Sequence, residues 1–159
     1  MDQEIYGKLI SIKRQKVFKE PWFGIISELP PHYEIERVII TADTAFKVGE
    51  ENDDTAMLIM AKCRDYILII DMFCDKVEFP ELITAIKSFH NKHNLKHYKN
   101  YISEVLIEDK ASGQSAIQML QKNKHIGSII TPIKVDRDKY TRAISTTDEW
   151  DRDWETSDM

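Results

Sequence analysis

An α/β fold built on one mixed β-sheet with flanking helices is what the sequence predicts, and three observations predict it. Three β-rich runs follow one another through short polar turns, which implies an antiparallel three-strand meander. Two later segments change to helical period, and each leads into another β-rich run. The resulting order, β-β-β-α-β-α-β, puts helices on the faces of a sheet whose later strands run parallel to the first.

Residues 1–36 read as a connecting segment. Bases mix there with Tyr6, Phe18, Trp22 and Phe23, and the stretch ends at Pro30-Pro31, which disfavours helix just before it. The first strong strand is Arg37 to Asp43, RVIITAD, rich in β-branched residues and closed by a carboxylate. KVGEENDD follows as a turn, with Gly49 and Asn52 as turn residues. A second strand spans Ala56 to Lys62, AMLIMAK. The polar turn Cys63-Arg64-Asp65 leads into a third, YILIIDMF, from Tyr66 to Phe73. Pro80 suits the first turn of a helix, in which Leu82, Ile83, Ile86 and Phe89 recur at helical spacing as far as His93. A fourth strand is expected at Ile102 to Glu108, ISEVLIE. A second helix is expected at Gly113 to Lys122, with Ser112 or Asp109 available to cap it. The fifth strand is SIITPIKV, Ser128 to Val135. From Asp136 onward the chain is charged and aperiodic, and no internal repeat or low-complexity tract occurs.

The 159 residues suffice for one domain with a real core, and 42% hydrophobic with 31% charged residues fits a soluble globular protein. No apolar run reaches the roughly 18 residues that would cross a bilayer. The N-terminus lacks the apolar centre of a signal peptide. A cytoplasmic location with no membrane partner is therefore expected. Cys63 and Cys74 form no CxxC pair, so a reduced compartment without structural disulfide or zinc knuckle is expected. The net charge of -5 resides in the tail: residues 148–159 carry six acids against one base, which leaves residues 1–147 neutral. A neutral body does not by itself attract nucleic acid, so any DNA contact falls to local basic groups or to parts of a larger protein. The five glycines are scattered and no GxxxxGK[ST] phosphate loop occurs, which excludes an ATP-driven motor within this chain.

Two strand ends carry the chemistry. Asp43 closes RVIITAD, and Glu108-Asp109 close ISEVLIED. Ligands in sheets of this kind bind at the carboxyl ends of strands, where the strand order reverses. A carboxylate ending a buried apolar strand is costly unless paired, and two side by side repel each other until a cation relieves them. Hard oxygen ligands suit Mg²⁺ or Mn²⁺, and a pair of such ions about 3.5–4 Å apart activates a water and stabilises the leaving oxygen of a phosphodiester. The plain alternative is that these acids mark strand ends in water.

RVIITADTAFKVGEENDDTAMLI, followed by YILIIDMF, VEFPEL, VLIEDKASGQSAIQML and DKYTRA, resembles the nuclease domain of phage and prophage terminase large subunits from about Arg37 to Ala143. FKEPWFGIISELPPHYE resembles the stretch joining the ATPase and nuclease domains of such proteins. The resemblance implies an RNase H-like fold and a metal-dependent endonuclease that cuts concatemeric viral DNA as genomes are packaged. It divides the chain into a linker remnant (1–36), a nuclease domain incomplete at its C-terminal end (37–145) and a divergent acidic tail (146–159). By position, Asp43 matches the first metal-binding, catalytic aspartate and Glu108 the second carboxylate. Asp109 is the adjacent candidate, and Asp53 matches an acid that often follows the first. Lys110 and the Ser112-Gly113 turn fall beside the site; Lys110, Lys139 and Arg142 fall where DNA is met. The implied cofactor is Mg²⁺ or Mn²⁺. The implied partners are double-stranded DNA, a separate terminase ATPase chain, a small terminase subunit and a portal.

The family carries a third metal-binding aspartate downstream of the TRA block. The resemblance here stops at about Ser145, and nothing in the spacing of Asp148, Asp151 or Asp153 supports a substitute. Impaired cleavage follows as an expectation. One rival reading is a non-catalytic remnant of a decaying prophage terminase gene. Another is a different RNase H-like enzyme such as a resolvase or transposase, against which the DKASG and DKYTRA blocks argue.

Other signals read as structural. His90, His93 and His97 are expected on a solvated, basic helix face. Asp71, inside an apolar strand, is expected to be a hydrogen-bonded strand acid. Met57, Met60, Met72 and Met119 fit core packing. Trp150 and Trp154 read as accidental aromatics of the tail.

Overall fold

The computed structural model describes Phe18 and residues 22–44, 54–94, 102–139 and 141–146. Gly49, Asn52, Asp53, His97, Trp150, Trp154 and the acids of the tail lie outside the described residues. The chain divides into two compact units, Pro30–Val135 and a second made of Met1–Leu29 with Asp136–Met159.

The first unit is a mixed sheet. Strand β1 (Ile35–Asp43) pairs antiparallel with β2 (Thr55–Cys63), and β2 antiparallel with β3 (Ile67–Asp75). On its other side β1 pairs parallel with β4 (Ile102–Glu108), and β4 parallel with β5 (Ile130–Ile133). The five strands lie in the order β3-β2-β1-β4-β5. This is the expected meander plus parallel strands. The β2–β3 turn closes where the Cys63 amide donates to the Tyr66 carbonyl at 2.9 Å.

Period-two alternation gives the sheet one dry face. Val38, Ile40 and Ala42 of β1, Met57 and Ile59 of β2, and Val105 and Ile107 of β4 are buried. The register Ile59↔Ile40↔Val105 aligns them across the three central strands. Helices α1 (Phe79–Asn94) and α2 (Ala111–Gln121) join that core through Leu82, Ile86, Ala116 and Leu120. Burying a side chain the size of Ile86 fully stabilises by about 1.5–3 kcal/mol. Among the described residues no helix is long and apolar enough to cross a membrane.

Helix α1 corrects one expectation. His90 and His93 are each only 5% exposed, not on a solvated face. They continue the stripe of Leu82, Ile86 and Phe89 at helical spacing, so the helix buries them with it. His93 stacks edge-on to Phe89, with ring centroids 5.0 Å apart, and its Nε2 lies 2.9 Å from Asp71 Oδ2. Lys92 Nζ donates to the same oxygen at 2.6 Å, and the Met72 amide donates to the other at 2.8 Å. Asp71 is thus the hydrogen-bonded strand acid expected. A bulge opposite Ile59 and Met60 sets Asp71 across from buried Ile59 and so turns it to the helix face.

Two further elements differ from expectation. Helix α2 begins at Ala111, and its N-cap is Lys110 without a side-chain cap hydrogen bond, so neither Ser112 nor Asp109 occupies the cap. Met119 is 52% exposed because Gly113, Ala116, Ile117 and Leu120 form the inward stripe and position 119 falls off it. Strand β5 is four residues long. Its expected start is spent in a 3₁₀ turn, Gly127–Ile129, set up by Asn123, whose side chain accepts from the amides of His125 and Ile126 at 3.0 and 3.3 Å. The Gly127 amide donates to the Asn123 carbonyl at 2.9 Å, and a Cβ on Gly127 would overlap the Gln121 carbonyl.

Candidate metal centre

Strand order reverses between β1 and β4. From β1 the chain goes outward to β2 and β3 on one side, then returns to place β4 and β5 on the other. Sheets open a crevice at the carboxyl ends of the strands flanking such a switch point. Asp43 is the last residue of β1 and Glu108 the last of β4. Ala42 pairs with Ile107 in the parallel register, so Asp43 and Glu108 occupy the next positions of adjacent strands. Neighbouring strands run about 4.8 Å apart. Both acids alternate with the buried residues Ala42 and Ile107, and therefore project to the same face of the sheet. The sequence brings them together because both strands end their apolar alternation at a carboxylate.

The Glu108 side chain is 10% exposed, and Lys110 Nζ lies 2.8 Å from its Oε1, with the lysine side chain 54% exposed. The backbone around this pair is pinned. The Lys110 amide donates to the Glu108 carbonyl at 2.9 Å, and the Asp109 amide donates to the Ile133 carbonyl of β5 at 2.8 Å. Asp109 thereby extends the ladder beyond β4.

Gly113 explains how α2 comes so close. A Cβ there would overlap the Glu108 carbonyl oxygen and lie 3.2 Å from its carbon and 3.4 Å from Thr44 Oγ1. Only a glycine lets the first turn of α2 rest on the end of β4 beside the residue that follows β1. Thr44, buried at 7% exposure, is a residue that sequence reasoning misses; its place directly after Asp43 is the only signal.

Asp53 lies outside the described residues. Lys139 and Arg142 belong to the second unit. There, Asp138 caps a helical turn at residues 141–146: its carboxylate accepts from the Thr141 amide at 2.9 Å and from the Thr141 hydroxyl at 2.6 Å. Lys139 is exposed and Arg142 half-buried.

Among the described residues, no group of three or more His, Cys, Asp and Glu gathers as a metal cluster. The donor set at the strand ends is two carboxylates. That set fits Mg²⁺ or Mn²⁺, because such ions take one or two protein carboxylates and complete their shell with water and phosphate oxygens. The ammonium of Lys110 beside Glu108 marks the same place as one where a positive charge is stabilised.

No protein-family model matches the sequence, and no curated protein matches it. Among solved structures, the fold is similar to that of the large terminase from a thermophilic bacteriophage, with a TM-score of 0.59 and 12% identity over 86% of this chain. The chain spans 31% of that terminase's length. At this identity the likeness establishes the fold alone: an α/β domain with a five-stranded mixed sheet and flanking helices, consistent with an RNase H-like arrangement.

Proposed function

We propose that this chain is a terminase-type nuclease domain that cleaves double-stranded DNA with the help of Mg²⁺ or Mn²⁺. The single observation that carries the reading is the placement of Asp43 and Glu108 at adjacent ends of parallel strands, on one face, where the strand order reverses. The likeness in fold to a large terminase supports it.

Asp43 and Glu108 would hold the metal, and Asp109 stands next in the chain as a further oxygen donor. When bound, the ion supplies charge stabilisation at a phosphoryl oxygen and a more acidic water. The chain's own residues do the positioning. The β1–β4 pairing fixes the spacing of the two carboxylates, and Gly113 lets α2 buttress the end of β4. Lys110 in the first unit, and Lys139 and Arg142 in the second, offer positive charge for phosphates in a stretch, residues 1–147, whose net charge is zero. In this reading the partners are DNA and the packaging machinery: an ATPase chain, a small terminase subunit and a portal.

Supercoiled plasmid incubated with the protein and Mn²⁺, beside Asp43→Ala and Glu108→Ala proteins, tests the proposal. Slow nicking by wild type and its loss in both variants is expected. Equal nicking by all three would remove these carboxylates from the reaction.

A second reading is a non-catalytic terminase-like domain. It is favoured by the limit of two carboxylates at the described site and by the lysine that engages one of them. Calorimetric titration with Mn²⁺ separates the two, since the non-catalytic domain would bind no metal that depends on Asp43.

A further inference from the structure

We infer that Lys110 is an internal counter-ion that occupies Glu108 in the metal-free chain and leaves it when a divalent cation binds, so that the lysine sets the metal affinity of the site. This rests on the proposed metal site.

Glu108 is 10% exposed, and a carboxylate so nearly dry needs a positive partner. The Asp43 carboxyl, next in register on the adjacent strand, raises that need by repulsion. Lys110 meets it at 2.8 Å. The backbone of the lysine is held by the hydrogen bond its amide donates to the Glu108 carbonyl and by the start of α2. The side chain is not: it is 54% exposed and ends in a flexible four-carbon stem. It can swing into water with little packing lost.

A divalent ion shared by Asp43 and Glu108 would take the oxygen that Lys110 now holds, and would repel the ammonium from its neighbourhood. Two cations of different charge therefore compete for one carboxylate. Lys110 adds to the stability of the site without metal, and the site binds metal more weakly for the same reason. The released ammonium then stands at the strand ends, free to meet a phosphate.

Mn²⁺ titration of the full chain by calorimetry, without DNA, reads this directly. Lys110→Gln should bind Mn²⁺ about fivefold to tenfold more tightly than wild type, the range set by one partly exposed charge-assisted pair. It should also melt lower than wild type without metal and gain more from added Mn²⁺. Lys110→Arg, which grips a carboxylate in two places, should bind Mn²⁺ more weakly than wild type. Unchanged or weaker Mn²⁺ binding in Lys110→Gln, alongside wild-type binding that Asp43→Ala abolishes, would overturn the inference and leave the metal site standing. Wild-type protein that binds no Mn²⁺ would overturn both.

Discussion

Gly113→Ala puts one methyl group at the tightest contact near the candidate site. The new Cβ would overlap the carbonyl oxygen of Glu108 and press on its carbon at 3.2 Å and on Thr44 Oγ1 at 3.4 Å. The obstructing atoms are mostly backbone at the end of a central strand, so no side chain can rotate aside. Two effects oppose each other. Alanine in place of glycine favours a helix by about 1 kcal/mol. Forcing a methyl into a closed contact costs about 3 kcal/mol when the backbone itself must shift. The clash wins, for a net loss of about 2 kcal/mol. In a unit of this size that lowers the melting temperature by about 10 °C. Thermal unfolding followed by circular dichroism measures it. A variant that melts at or above the wild-type temperature would refute the close packing of α2 on the end of β4.

Acid should weaken the fold in two stages, and Asp71→Asn should remove the lower one. Burial pushes the Asp71 carboxyl up, but hydrogen bonds from Lys92, the Met72 amide and His93, with the charge of Lys92, bring it net below the usual carboxylate value. Its contribution is therefore present above the unfolded value of about 4 and is lost as pH falls through the folded one. Burial lowers the His90 imidazole, against a smaller opposing effect of its hydrogen bond to Asn91. Stability accordingly declines once pH drops below the unfolded value of about 6.5 and the unfolded chain takes the proton more readily. Asp71→Asn should cost about 2 kcal/mol at neutral pH through weakened bonds to Lys92 and His93, measured by urea denaturation across pH. An unchanged urea midpoint would refute the role given to Asp71. Cys74 is exposed and Cys63 buried, so a thiol reagent should modify Cys74 in the folded protein and Cys63 only on unfolding. Burial, followed by the charges of Asp54 and Asp75 and a hydrogen bond to Asp54, raises the Cys74 thiol. Its modification should be slow at neutral pH and accelerate in alkali, and equal rates for the two thiols would contradict the placement of Cys63.

The strand ends are legible in the sequence because two simple rules meet there. Runs of β-branched and aliphatic residues mark β1 and β4 as strands, and a carboxylate closing each run stands out against the apolar residues before it. The bounds of β4 agree with the expectation residue for residue. The buried face of α1 is only half legible. His90 and His93 continue the spacing of Leu82 and Phe89, yet their polarity argues for solvent until Asp71 from across the fold and Phe89 along the helix supply partners for His93, and Asn91 one for His90. Such partners are set by tertiary contact, which one sequence does not display. Helix α2 begins early for a related reason. Gly113 looks like a turn residue, while its use is a close approach between helix and strand. The apolar run before β5 suggests a longer strand, but Asn123 diverts its first residues into a 3₁₀ turn. Lys110 is expected as a DNA contact, and its engagement with Glu108 depends on how the chain turns from β4 into α2, which one sequence does not display.

The pairing of Asp43 with Glu108 as one cation site is tested most directly by a crystal soaked in Mn²⁺ and measured for anomalous scattering. An ion in contact with both carboxylates, at the carboxyl ends of β1 and β4, is the expected result. An empty crevice at saturating Mn²⁺, or an ion bound away from both side chains, would contradict it.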